Sequence, residues 1–208
     1  VSDEGGAMAG DTWLIIGLGN PGRKYARTRH NIGHMVAEAL VERIGGTLTS
    51  TKAKAIAATG RLGIVGGLPG PRVVVMQSLT YMNVSGPPVA QLAQFHSITP
   101  ERIIAVHDDV DLPFDSIKLK RGGGEGGHNG LRSMTQSLGT KDYLRVRAGV
   151  GRPPGRMDTA DYVLKPFTAE EQKTLPILVE DAADAVEILV AEGLEAAQQR
   201  FHGRLADG

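Results

Sequence analysis

The sequence predicts an α/β fold, a single three-layer α/β/α domain on a twisted mixed β-sheet, and three observations carry that prediction. Apolar runs of strand length at Trp13–Leu18, Arg72–Met76, Arg102–Val106 and Tyr143–Val150 alternate with helical periodicity at Ile32–Ile44, Val89–Phe95 and Leu131–Leu138. Such alternation is what helices layered on a largely parallel sheet produce. Shorter, more polar strand-like segments at Thr47–Ala58 and Arg61–Val65 add an expected antiparallel edge, which makes the sheet mixed. The 208 residues contain no linker, low-complexity stretch or internal repeat, so one large domain is expected over 12–204.

Along the chain, residues 1–11 (VSDEGGAMAGD) lack the basic start and apolar run of a signal peptide and are expected to be a disordered extension. The first strand runs into Gly17-Leu18-Gly19-Asn20-Pro21-Gly22, and Thr28-Arg29-His30-Asn31 follows. Ile32, Met35, Val36, Leu40 and Ile44 then trace one helical face, which Gly45-Gly46 ends. Tyr81-Met82-Asn83 follows the second long strand, and the third ends in His107-Asp108-Asp109. Ser116–Arg121 reads as a strand with Lys118 and Lys120 on one face. The run GGGEGGHNG from Gly122 to Gly130 holds His128 and Asn129 ahead of a helix, a setting that suits a phosphate or a carbonyl as well as a plain connector. Arg152–Asp161, rich in Pro and Gly, is expected to form a mobile lid. From Thr168 the pattern is helical, with an apolar stripe of Ile177, Val179, Ala183, Val186, Leu189 and Val190, and Gly193 sets off a last short helix.

Composition narrows the class. Hydrophobic residues make up 41% but aromatic ones only 4%, so the core must be aliphatic. Without cysteine there is neither a disulfide framework nor a thiolate zinc site, which fits a reducing compartment. No stretch approaches the roughly 18 apolar residues of a membrane span. The zero net charge conceals a division: 19 Lys and Arg against 9 Asp and Glu from Thr12 to Arg156, then 4 against 11 from Met157 to Gly208. A basic body is what a polyanion such as RNA requires, although an acidic helix packed on a basic sheet face gives the same count.

In open α/β sheets ligands collect beyond the carboxyl ends of the strands, so four loops are expected to converge on one crevice. There His30, flanked by Arg29 and Asn31 and therefore expected to be half-exposed, can pair with Asp108. A carboxylate on one imidazole nitrogen fixes the tautomer and raises the basicity of the other, as a water-activating base requires. Asn20, Asn83 and Asn129 each offer a donor and an acceptor, the complement of a peptide or ester carbonyl, although each alone also suits a turn. Lys120 and Arg147 are expected to share a face as a phosphate clamp, with Lys118, Arg121 and Arg145 nearby. GLGNPG formally satisfies G-x-G-x-x-G, but Pro21 stands where N–H groups should open a helix, and no acidic residue ends a second strand at the required distance. A metal site from His30, His107, Asp108, Asp111 and His128 lacks a recognised ligand spacing, and no G-x-S-x-G serine motif is present.

GLGNPG, Tyr25 with TRHNIG, YMNVSG, HDDVDLP, GGGEGGHNGLRS and RVRAGVGRPPG stand in the order and spacing of bacterial peptidyl-tRNA hydrolase, and the chain resembles that family over 12–204. The resemblance implies cleavage of the ester between a peptide and the 3′-terminal ribose of tRNA. It implies His30 as the base that activates water and Asp108 as the carboxylate orienting it. It further implies Asn20 in selecting N-blocked substrates, Asn83 and Asn129 in holding the peptide backbone and terminal nucleotide, Tyr25 and Tyr81 along the acceptor end, Met82 shaping the crevice, His128 among the substrate-binding residues, and Lys120 with Arg147 on the 5′-phosphate. A cytoplasmic monomer with tRNA as partner, no metal or other cofactor and no obligate protein partner is the matching expectation. A tRNA-binding protein without hydrolysis is the alternative, and a dinucleotide-binding oxidoreductase a weaker one. Gln77-Ser78 stands where many relatives carry lysine-proline, and Ser50–Ala58 is small and polar. His107 is expected on the strand face opposite Asp108 and receives no role.

Overall fold

A computed structural model describes residues 11–206, with side chains as far as His202. Of the expected extension, residues 1–10 lie outside the described residues, whereas Asp11 pairs with Arg102 at 3.6 Å. The strands are β1 (Trp13–Gly17), β2 (Thr49–Ser50), β3 (Ala55–Arg61), β4 (Ile64–Val65), β5 (Leu68–Pro69), β6 (Arg72–Ser78), β7 (Ile103–Asp109), β8 (Ile117–Arg121) and β9 (Leu144–Gly149). The helices are α1 (Ile32–Arg43), α2 (Gly86–Phe95), α3 (Asn129–Leu138), α4 (Thr159–Val163), α5 (Ala169–Glu192) and α6 (Leu194–Ala206).

One sheet runs in the order β2-β3-β6-β1-β7-β9-β8. Its four inner strands are parallel, and β2, β3 and β8 are antiparallel to their neighbours, so the mixed sheet is as expected. The polar edge differs in detail. The segment 47–58 is broken by the turn at 51–54, and 61–65 divides between the end of β3 and a separate β4–β5 hairpin. Three glycines around that hairpin account for the break, because Gly63, Gly66 and Gly67 take the left-handed backbone that strands do not.

Alternate residues of each inner strand enter two cores. Ile15, Val73, Val75, Ile104 and Val106 pack with α1, α5 and α6 on one face, whereas Leu14, Ile16, Val74, Met76, Ile103 and Ala105 pack with α2 and α3 on the other. Each fully buried aliphatic side chain contributes about 1.5–3 kcal/mol, which is why these strands read as unbroken apolar runs. The glycines of β1 and α1 serve this packing. A Cβ at Gly17 would lie 2.1 Å from the Gly33 carbonyl oxygen, and one at Gly33 would lie 2.5 Å from the Leu18 nitrogen. The GLG of GLGNPG is thus used to bring α1 onto the end of β1.

On the far edge, the outward N–H and C=O of Leu119 in β8 would be open to pairing with another strand. Instead the Leu119 N–H donates to His202 Nε2 (2.9 Å) and its carbonyl accepts from Gln198 Nε2 (3.1 Å), both on α6.

Candidate active site

The carboxyl ends of β1, β6 and β7 open into a cleft of about 650 Å³. Asn20, His30, Met82, Asn83, Asp108, His128 and Asn129 all line it. Tyr25 and Tyr81 do not. They meet edge to face on the surface at 6.4 Å between ring centroids, with Tyr81 60% exposed.

His30 sits in a single helical turn, Arg29–Asn31, that leads into α1. His30 stands between core and surface, as expected, with 12% of its side chain exposed, but its polar neighbours are not what marks that position, since Arg29 and Asn31 are buried. Asn31 is spent on the first loop, accepting from the Asn20 N–H (2.8 Å) and donating to the Asn20 carbonyl (2.9 Å). Asn20 Oδ1 in turn accepts from the Met82 N–H at 2.7 Å. That bond fixes the amide orientation and leaves the Asn20 NH₂ as its donor toward the cleft.

Asp108 is almost wholly buried, and both of its oxygens are engaged. His30 Nδ1 lies 2.8 Å from Oδ2, and His128 Nε2 lies 2.8 Å from Oδ1. The tautomers follow from the partners. His128 Nδ1 accepts from the Gly130 N–H (3.1 Å) and the Leu131 N–H (3.3 Å), so its proton is on Nε2 and is donated to Asp108. His30 then donates through Nδ1, which leaves its Nε2 lone pair for the cleft. Burial alone disfavours the His30 imidazolium, but the Asp108 charge and hydrogen bond outweigh it, and the His30 pKa is raised above its ordinary 6.5. Burial likewise opposes the Asp108 charge, and the two histidines overcome it, holding Asp108 well below the usual carboxylate range.

The glycine loop reaches this arrangement through left-handed turns at Gly126 and Gly127 (φ +58° and +78°), closed by the His128 N–H on the Glu125 carbonyl at 2.9 Å. The anion site expected at the mouth of α3 is changed by this: His128 itself caps Gly130 N–H and Leu131 N–H. The same caps bear on metal binding. Among the described residues, His30, Asp108 and His128 form the one group whose ligand atoms lie within 4.8 Å of one another. A metal on His128 Nε2 would require the proton on Nδ1, facing two backbone N–H groups, so the donor set does not fit one.

His107 is on the opposite strand face from Asp108 by alternation, yet at the end of β7 both faces open into the cleft, and His107 lines it too. It is buried, donates from Nδ1 to the Asp108 carbonyl (2.7 Å) and stacks edge-on to His128 at 5.1 Å. Burial, the largest cause, lowers its pKa to about 3, so it is neutral at physiological pH. Of the segment 152–161, Arg152, Asp158, Thr159 and Ala160 line the cleft, with Val163 and Leu164 beyond them.

The basic residues gather along β8 and β9. Lys118 pairs in register with Arg147 and Lys120 with Arg145, which puts all four on the sheet face away from the α1 side. Lys120 and Arg147 therefore do share a face. Arg145 is fully buried and donates to the Gly124 carbonyl (2.6 Å) and the Lys141 carbonyl (3.2 Å), so it anchors the glycine loop. Arg147 donates from Nε to Asp109 at 2.8 Å, and Lys120 reaches the Gly124 carbonyl at 3.3 Å. Gln77 and Ser78 are buried in β6, with Gln77 donating to the His34 carbonyl (3.0 Å), so that position faces inward.

Fold and cleft together define an α/β/α protein with a histidine–carboxylate pair at the carboxyl ends of its parallel strands. The sequence profile of the family described as Peptidyl-tRNA hydrolase matches residues 14–207. The chain belongs to the peptidyl-tRNA hydrolase family. It is 60% identical over 192 residues to a peptidyl-tRNA hydrolase of Arthrobacter sp. (strain FB24), covering 92% of this chain and 97% of that one. It is 61% identical over 192 residues to that of Pseudarthrobacter chlorophenolicus, covering 92% and 96%. The crystal structure of peptidyl-tRNA hydrolase from Acinetobacter baumannii superposes with a TM-score of 0.81 at 34% identity, over 94% of this chain and 97% of that one.

Proposed function

We propose that this chain hydrolyses the ester linking a peptide to the 3′-terminal ribose of tRNA, with His30 as general base. The observation that carries the assignment is the hydrogen-bond chain ending at His30: every other ring nitrogen and carboxylate oxygen of the His128–Asp108–His30 set has a partner, and Nε2 of His30 alone is left for a water. Nε2 takes a proton as the water oxygen attacks the ester carbonyl. The tetrahedral intermediate collapses with loss of the ribose 3′-oxygen, to which the imidazolium returns that proton. Asp108 stabilises the imidazolium while it exists. The Asn20 side-chain amide, held in one orientation by the Met82 N–H while Asn31 fixes the Asn20 backbone, supplies a donor to carbonyl oxygen, and Asn83 and Asn129 present further amides along the same cleft. His128 and Met82 shape the floor.

Lys120 and Arg147 supply positive charge for the tRNA phosphate, and the surface pair Tyr25–Tyr81 offers a stacking platform beside the cleft for the acceptor end. The absence of cysteine fits a reducing cytoplasm, and among the described residues no helix is long and apolar enough to cross a membrane. The test is release of N-acetylated amino acid from tRNA by the wild-type chain beside His30→Ala. Normal turnover by a folded His30→Ala variant would sink the base assignment. Binding without turnover by the wild type would leave a tRNA-binding protein.

A further inference from the structure

Arg29 adjoins His30 but does not line the cleft, and the hydrolytic steps make no use of it. Its side chain is 4% exposed. The guanidinium lies 3.9 Å over the Tyr162 ring and 5.8 Å from that of Phe167. Nη1 donates to the carbonyls of Tyr162 (3.2 Å) and Lys165 (3.4 Å) at the end of α4. Nη2 donates to Glu171 at 2.9 Å, and the same Glu171 oxygen accepts the Thr168 N–H and closes the capping box that opens α5. The backbone repeats the connection: the Arg29 N–H donates to the Lys165 carbonyl at 3.1 Å, and Thr28 bridges to Pro166.

One planar fork thus touches three elements, the turn of the base, the end of α4 and the start of α5. An ammonium could not present donors in the same plane to all of these acceptors. Stability alone does not call for it, because buried ion pairs replaced by apolar side chains of similar volume are often neutral or stabilising. What the fork adds is fixed geometry. Its consequence falls on the cleft, since Thr159, Ala160 and Val163 of α4 form a wall of the site into which His30 projects. Tyr162 also ties α4 to the end of β9 through its hydroxyl on the Val150 carbonyl (3.2 Å).

We propose that Arg29 is a positioning residue that locks the α4 wall to the turn bearing His30, so that the base and the surface confining the acyl group are held in register. This rests on His30 acting as the base. Displacement of a reacting group by about 1 Å costs up to about 10²-fold in rate. Arg29→Lys keeps the charge and loses the fork. It should lower kcat on N-acetyl-aminoacyl-tRNA about tenfold while KM stays within about threefold. The acid limb of the kcat profile should also move to lower pH, because a loosened contact withdraws part of the Asp108 pull on His30. Tyr162→Leu, which removes the stacking surface and leaves Arg29 in place, is the second variant. It should shift both readouts in the same directions if Arg29→Lys does not fold. In folded variants, unchanged kcat, a change confined to KM or to melting temperature, or a fall in kcat with an unmoved acid limb overturns the proposal. Failure of the base reading is separable: it appears as turnover by His30→Ala, whereas an inactive His30→Ala beside wild-type behaviour in both other variants removes the positioning role alone.

Discussion

The centre of the cleft and the β8–β9 edge are both polar and both adjoin the glycine loop, but they are built on opposite terms. At the centre each ionisable group has a defined partner: Asp108 has two imidazoles, and His128 has a carboxylate on one nitrogen and two N–H donors on the other. At the edge, like charges are crowded together. The Lys120 pKa is lowered by burial and by the nearby charges of Arg145 and Arg147, with Asp109 and Glu125 pulling the other way. A buried, saturated network specifies geometry, and losing one member leaves others unpaired. The partly exposed cations Lys118, Lys120 and Arg147 act mainly through their field, which salt weakens, whereas the buried Arg145 is held by backbone carbonyls. Substitutions at the centre should therefore act on kcat and those at the edge on KM.

The largest effect is expected for His30→Ala, which removes the proton acceptor and should lower kcat by about 10³–10⁴-fold. If KM for the intact substrate rose by a comparable factor, the division between the two regions would break. Asp108→Asn should follow, with a loss of about 10²–10³-fold and an informative pH profile. In the wild type His30 must lose a proton to act, and its raised pKa places the acid limb above 6.5. Without the carboxylate only burial remains, and burial lowers the imidazole pKa, so the limb must move to lower pH even as the plateau falls. A limb that stays in place or moves up would show that Asp108 does not set the protonation of His30.

The two regions were not equally legible. The alternation of strands and helices could be read because both faces of the inner strands are buried, as Leu14 and Ile15 show by entering opposite cores. His30 and Asp108 could be placed together because each ends or follows a strand at the same rim. Nothing local indicates that His128, twenty residues beyond Asp108, takes its second oxygen, since that contact depends on the glycine turns between them. The burial of Arg29 was likewise hidden, because its partners Tyr162, Lys165 and Glu171 come from a segment more than 130 residues away. Alternation sends His107 to the face opposite Asp108, a rule that holds within a sheet and loses its force where a strand ends in an open cleft. At the edge, the sequence put Lys118 with Lys120 and Lys120 with Arg147, but the register that adds Arg145 to the same face, and the full burial of Arg145, come from the sheet.

The edge supplies the smaller predictions. Each lost phosphate contact should reduce the slope of log affinity against log salt by roughly 0.7–0.9, so Lys120→Ala and Arg147→Ala should each flatten it by about one contact. Substrates lacking the 5′-phosphate should be spared. Arg147→Ala should be the more damaging of the two, because it also leaves the Asp109 carboxylate without its cation beside the incoming phosphate. The reverse change gives the finest test. Asp109→Asn releases Arg147 from its partner and removes a negative charge from the phosphate's path, which should lower KM for tRNA substrates about twofold at low salt, in keeping with the roughly 0.2–1 kcal/mol of a partly exposed pair. The gain should vanish at high salt and should leave kcat unchanged, because Asp109 is bonded to Arg147 rather than to either histidine. A fall in kcat instead would mean that the edge and the centre are mechanically coupled through β7, and that charge and geometry are not separable in this cleft.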